Sequence, residues 1–171
     1  LLSPLALGEG KEERLLDLTG GYGVDTYFLS EQFTHTDYVE QNEELCRIAA
    51  HNFALSQKSK VERQKLSIAI HNTTAEDFLL SSPCGEAGWG LIFLDPARRD
   101  SHGSKVFRIE ECTPNVVELL PTLLAHSKRL LIKLSPMLDL TQAVTSLSQV
   151  NWDIHIVAIK NEVKEVLLLS G

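Results

Sequence analysis

The chain has 171 residues, 43% hydrophobic and 23% charged, with 16 Lys and Arg against 23 Asp and Glu, a formal net charge of −7. That length holds one domain with a sizeable core. No apolar run is long enough to span a bilayer, and the net sign excludes a domain that grips nucleic acid by bulk charge alone. Cys46, Cys84 and Cys112 are scattered without a C-x-x-C pair, and the six histidines show no metal-ligand spacing. Neither a disulfide framework nor a metal centre is therefore expected. No basic-then-apolar leader is visible, and the expected compartment is the cytoplasm.

In chain order, residues 1–13, with Pro4, Gly8 and Gly10, read as a linker or the end of a preceding domain, and 14–171 as one folded domain. Arg14–Leu18 reads as a strand that runs into a glycine-rich turn. Val24–Phe33 follows as a helix with Val24, Tyr27, Phe28 and Leu29 on its apolar face. Thr36–Glu40 is a second strand, and Asn42–Ser56 has helical spacing of Leu45, Ile48, Ala49, Phe53 and Leu55. Leu66–Ile70 reads as a strand, Ala75–Leu80 as a short helix and Ser81–Gly90 as a loop. Leu91–Leu94 is a short buried strand ending at Asp95-Pro96, and Asp100–Thr113 reads as a polar active-site loop. Pro114–Ala125 is a helix, Arg129–Leu134 a strand, and Leu140–Leu147 a helix capped by Asp139 or Thr141. Asp153–Ile159 and Val163–Leu169, joined by Lys160-Asn161-Glu162, form an antiparallel hairpin. The alternation predicts an α/β fold: a Rossmann-like, doubly wound, seven-stranded mixed sheet with helices on both faces and that hairpin at its C-terminal end.

In such a sheet a ligand sits outside the carboxyl ends of the strands. Those ends carry Asp17, Glu40, Asn72-Thr73-Thr74, Asp95 and Lys133. In Asp17-Leu18-Thr19-Gly20-Gly21-Tyr22-Gly23 the glycines permit a sharp turn and close backbone approach to a ligand. The Asp17 carboxylate would repel a pyrophosphate and attract an ammonium group, as in the amino-acid tail of S-adenosylmethionine. Thr26 occupies the third glycine position of a dinucleotide fingerprint, which weighs against NAD. Glu40, about 20 residues beyond the turn, is placed to accept ribose hydroxyls. In Asp95-Pro96-Ala97-Arg98-Arg99, Asp95 could accept a hydrogen bond from a substrate N–H and the arginines could bind phosphate; an internal Asp–Arg pair is the alternative. Lys133 either snorkels to the sheet edge or points over the site. Lys58, Lys60, Arg63 and Lys65 read first as a solvated face.

Asp17-x-Thr19-x-Gly21-x-Gly23-x-Asp25, then Glu40, then Asp95-Pro96-Ala97-Arg98-Arg99, then Lys133-Leu134-Ser135-Pro136, and finally Glu162–Glu165 resemble class I S-adenosylmethionine-dependent methyltransferases. More narrowly, they resemble the bacterial group that carries a THUMP-like domain, over nearly all of Leu15–Leu169. The resemblance implies that 14–171 is the catalytic domain, with S-adenosylmethionine as cofactor and S-adenosylhomocysteine as product. It implies cofactor binding by Asp17, Thr19, Gly20, Gly21, Gly23, Glu40, Gln41, Thr74, Ala75 and Asp95. Catalysis would rest on Asp95, Pro96 and Arg98, and substrate binding on Arg98, Arg99 and Lys133. RNA is the implied acceptor, methylated at a base nitrogen, with no metal and no membrane. Arg98 stands where RNA guanine-N2 methyltransferases carry a stacking aromatic residue. Leu134-Ser135-Pro136 lacks the nucleophilic cysteine of uracil-C5 methyltransferases. A small-molecule methyltransferase, which the acidic net charge favours, and a non-catalytic Rossmann-like binding module are the alternatives.

Overall fold

The computed structural model describes residues 14–58, 67–82, 88–98, 106–127 and 129–171. The expectations for 1–13, Lys60, Arg63, Lys65, Cys84, Arg99 and His102 lie outside them. The elements are β1 (Arg14–Asp17), α1 (Val24–Ser30), β2 (His35–Glu40), α2 (Glu43–Lys58), β3 (Ile68–Asn72), α3 (Ala75–Ser81) and β4 (Leu91–Leu94). A 3₁₀ turn at Ile109–Glu111 precedes α4 (Val116–His126), β5 (Leu130–Leu134), α5 (Leu140–Ser146), β6 (Asp153–Ile159) and β7 (Glu162–Leu169). Together they form one seven-stranded sheet in the order β3-β2-β1-β4-β5-β7-β6. The first five strands are parallel, and β7 runs antiparallel to both β5 and β6. The hairpin turns on Lys160 and Asn161, both at positive φ (52° and 62°), as a two-residue turn of the primed type requires.

Alternation along the buried strands sends successive side chains to opposite faces. Leu16, Ile92, Leu94, Ile132, Leu134 and Leu168 meet Phe78 and Leu79 of α3, Leu120 and Leu123 of α4, and Ala143 of α5. Leu15, Leu91, Phe93, Leu131 and Leu167 form the opposite face beneath Leu29 and Phe33. Tyr38 packs on Cys46, Ala49 and Phe53 of α2. Full burial of Val116, Leu120 and Leu123 stabilises α4 by roughly 1.5–3 kcal/mol each. No helix among the described residues is long and apolar enough to cross a membrane.

Most boundaries shift by a residue or two from the sequence reading, and three of the differences have a visible cause or consequence. Helix α1 stops at Ser30, and its buried residues are Thr26 and Ser30, while Val24 and Phe28 are exposed. These two polar residues can face inward because each hydroxyl finds an acceptor, Ser30 on the Tyr27 carbonyl and Thr26 on Asp17. Helix α4 begins after Pro114, whose bond to Thr113 is cis; the Asn115 carboxamide caps it by accepting from the N–H groups of Val117 and Glu118. Strand β3 is displaced toward the C-terminus, and its last residue, Asn72, donates to the carbonyls of Glu40 and Gln41. Cys46 and Cys112 are buried free thiols.

Candidate functional site

A cleft of about 400 Å³ opens where the C-terminal ends of β1, β2, β3 and β4 meet. The chain leaving β1 is strung across the sheet: the Leu18 N–H donates to the Phe93 carbonyl (3.1 Å) and the Gly20 N–H to the Val39 carbonyl (2.9 Å). Two glycines here are fixed by what lies behind the loop. A Cβ on Gly20 would lie 2.1 Å from the Tyr38 ring, and one on Gly23, at φ +79°, would lie 2.6 Å from Phe53. The Tyr38 hydroxyl donates to the Gly21 carbonyl (2.6 Å), holding the turn down. Gly21, at φ +52°, is the glycine of this turn that lines the cleft.

Glu40 closes the other side. Its Oε2 accepts the Gly21 N–H (3.0 Å) and its Oε1 the Asn42 N–H (2.7 Å), so the carboxylate is aimed before any ligand arrives. Asn42 in turn accepts from Glu44 and Leu45 and starts α2. Thr74 caps α3 by accepting from the Asp77 N–H and stands at the rim with Ala75. The Thr19 hydroxyl accepts the Asp95 N–H (2.6 Å), joining the glycine loop to the end of β4.

Asp17 is 1% exposed and is not among the residues that line the cleft. Its carboxylate accepts from the Thr26 hydroxyl (2.5 Å) and the Thr19 N–H (3.0 Å). Burial pushes its pKa up to about 7, against the lowering effect of those two donors. These two bonds tie β1, Thr19 and α1 together. Thr26 fills the space that the third glycine of a dinucleotide loop would leave open.

Asp95 lines the cleft, and its Oδ2 accepts from Lys133 Nζ (2.9 Å). The same ammonium donates to Asp25 Oδ2 (2.6 Å) in the first turn of α1. Burial disfavours the charged ammonium, but the hydrogen bonds and charges of Asp25 and Asp95 outweigh it and hold the Lys133 pKa above the ordinary lysine range. Burial likewise raises the Asp95 pKa, with Lys133 opposing. Lys133, expected to reach a substrate phosphate, is thus held between two carboxylates.

The structure brings together Thr19, Gly21, Glu40, Gln41, Thr74, Ala75 and Asp95 in one cleft. Asp17, Gly20 and Gly23 support it from behind, Pro96 is buried, and Arg98 is half-buried beyond Ala97. The sequence reading missed Asn42, Leu45 and Glu76, which sit one helical turn or less past residues it singled out. Thr113 closes the segment read as an active-site loop, whereas Pro114 was missed; both reach the cleft because Thr113 pairs with Ala97 across an antiparallel bridge that no local pattern announces. Among the described lining residues, Glu40, Glu76 and Asp95 are the carboxylates, and there is no Lys or Arg.

No protein-family model matches the chain, and no curated protein matches it. Solved structures do. A candidate methyltransferase from Porphyromonas gingivalis W83 is 30% identical with a TM-score of 0.76, covering 94% of this chain and 37% of that one. An rRNA methylase from Streptococcus thermophilus is 14% identical with a TM-score of 0.61, covering 93% of this chain and 86% of that one. A candidate methyltransferase from Streptococcus mutans, solved in complex with S-adenosylhomocysteine, is 12% identical with a TM-score of 0.65, covering 93% and 88%. The chain therefore spans 37% of the length of the Porphyromonas protein. Strand order, terminal hairpin and these likenesses define the Rossmann-like α/β fold of the class I methyltransferases.

Proposed function

We propose that the chain is the catalytic domain of an S-adenosylmethionine-dependent methyltransferase of the THUMP-like group, acting on RNA at a base nitrogen. The observation that carries this reading is the cleft's charge: three carboxylates and, among the described residues, no cation line it. A cationic sulfonium with an ammonium tail fits such a wall, and a pyrophosphate is repelled by it. When bound, S-adenosylmethionine supplies an electrophilic methyl group. The rest falls to the chain's own residues. Gly21 offers backbone at close range, Glu40 is aimed to accept ribose hydroxyls, and Gln41, Thr74 and Ala75 flank the nucleoside. Asp17 acts by holding Thr19 and Thr26, with Gly20 and Gly23 allowing the loop to lie flat. Asp95 has one oxygen engaged by Lys133, and among the described residues none bonds to the other. That oxygen, with the Pro96 carbonyl, orients an acceptor amine, and alignment supplies much of the rate. Its raised pKa suits it to take the proton the amine sheds. Arg98 and Arg99 contact phosphate.

RNA as acceptor is supported by the sequence resemblance and by the rRNA methylase among the similar structures. One observation favours a small amine instead: Asp25 and Glu165 add negative charge around Asp95. Calorimetric titration with S-adenosylhomocysteine, with NAD as control, tests the cofactor site. One-site binding is expected, weakened at least tenfold in Glu40→Ala, a loss of about 1.4 kcal/mol. Tighter binding of NAD would overturn the assignment. Transfer of labelled methyl groups into unmodified RNA should vanish in Asp95→Ala. Label entering a small-molecule extract and not RNA would select the second reading.

A further inference from the structure

Strand β6 is the outer strand of the sheet, so one row of its backbone N–H and C=O groups faces solvent. Its sequence, Asp153-Ile154-His155-Ile156-Val157-Ala158-Ile159, has no lysine or arginine, no proline and no internal carboxylate. Soluble proteins blunt an open edge with such residues or with bulges. The one register shift here makes Lys164 of β7 the extra residue and leaves β6 continuous. None of its seven side chains is fully buried: on one face Ile156 is 61% exposed, with Ile154 exposed beside it and Val163 of β7 adding to the patch, and on the other face Ile159 is 57% exposed. The opposite edge is built differently. Strand β3 is shorter, with five residues.

We infer that β6 is a self-association edge, where a second copy of this chain pairs antiparallel about a two-fold axis near Ile156 and joins the two sheets. The charges favour this occupant and this direction. Asp153 begins the strand and Lys160 follows its last residue. Antiparallel pairing sets the acidic end of one copy beside the basic end of the other, whereas parallel pairing stacks like charges. The contact is isologous and closes at two copies. It covers β-branched side chains on both faces, which a lone edge strand leaves in water.

Sedimentation equilibrium of the full chain across a concentration series tests this. A dimer is expected. Ile156→Lys sets two ammonium groups against each other at the axis and weakens association at least tenfold. Because Ile156 is mostly exposed in one copy, its melting curve matches the parent's at concentrations low enough that both are monomers. Asp153→Lys weakens the dimer, and adding Lys160→Glu restores it, as antiparallel ends require. S-adenosylhomocysteine binding by these variants stays at the parent level, since β6 lies at the far side of the sheet from the cleft. A monomer at every concentration, including one whose edge is covered by another part of a longer chain, overturns the inference. So does a dimer indifferent to Ile156→Lys.

Discussion

Asp17 and Asp37 are buried aspartates on neighbouring strands, 1% and 4% exposed, yet their pKa values move in opposite directions. In the β1–β2 register Asp17 lies opposite Tyr38 and Asp37 opposite Leu16, so their side chains point to opposite faces of the sheet. Asp17 has two neutral donors, and burial wins, lifting its pKa to about 7. Asp37 accepts from the Trp89 indole N–H (3.0 Å) and the Arg14 guanidinium (2.7 Å) and lies 3.0 Å from His71 Nε2. Burial pushes Asp37 up as well, but these bonds and the Arg14 charge outweigh it and hold the carboxyl below the usual range. Depth and partners act together here: Asp17 is the more deeply enclosed carboxyl and also the one without a charged partner donating to it. The loop of the candidate site is thus hung from an acid at the edge of ionisation, and the strand behind it from one firmly ionised.

The largest effect expected is the pH dependence of stability from Asp17. Its folded pKa is raised from 3.8 to about 7, so between these values the folded state holds a proton the unfolded chain has released. Stability therefore falls as pH rises through that window, by roughly 4 kcal/mol for this group. Urea denaturation of the parent and Asp17→Asn from pH 4 to about 8 checks it; the amide should remove the slope. Parallel curves would mean that Asp17 ionises normally. Asp37 has the opposite sign: its contribution is full above the unfolded carboxylate pKa and fades as pH falls through the lowered folded value.

Next comes Asp37→Ala, which leaves the buried Trp89 N–H without its acceptor and Arg14 without its carboxylate. A loss of about 3 kcal/mol is expected, less than for a fully buried ion pair because Arg14 can return to water. Denaturant midpoints at constant m-value measure it. A loss under about 1 kcal/mol would show that the cluster contributes little. Smaller again is Thr26→Val, which keeps the shape and removes the hydroxyl donor to Asp17. About 1–2 kcal/mol should be lost at pH 7, and the Asp17 pKa should climb further. NMR titration of the Asp17 carboxyl carbon reads that shift, and an unmoved midpoint would reject the role given to Thr26.

These two acids also mark what the sequence could and could not convey. Leu15-Leu16, Leu91–Leu94 and Leu130–Ile132 read as buried strands because burial on both faces leaves an unbroken apolar run. The hairpin was legible because three residues between two β-branched runs leave the chain no other course. The cleft's near half was legible too, since Thr19, Gly21 and Glu40 belong to one strand-turn-helix-strand unit. Asp37 was passed over: its partners Arg14, His71 and Trp89 are 23, 34 and 52 residues away, joined only by strand pairing. The position of Asp17 at the mouth of the loop was readable, but its bonds to Thr26 and Thr19 were not. Lys133 was left between the sheet edge and the site mouth for the same reason, as Asp25 stands 108 residues before it. The apolar face assigned to α1 is half right: Tyr27 and Leu29 pack on the core, while Val24 and Phe28 are exposed and Thr26 and Ser30 carry their own hydrogen bonds inward.

The finest cut at the comparison is Arg14→Met. Arg14 is the charged partner of Asp37, but its side chain is 43% exposed, so water screens much of the pair's attraction. Asp37 would still accept from Trp89 and keep His71 at its other oxygen. If neutral and charge-assisted donors together hold the ionised state, Arg14→Met costs about 1 kcal/mol or less. The Asp37 pKa should then rise while staying under that of Asp17. If instead the guanidinium is what distinguishes the two acids, the substitution should carry Asp37 toward Asp17 and give the parent's acid limb of stability the opposite slope. Carboxyl-carbon titration of both residues in the single variant separates these outcomes. It also tests whether a buried strand acid needs a full countercharge or only enough well-placed N–H groups to stay ionised.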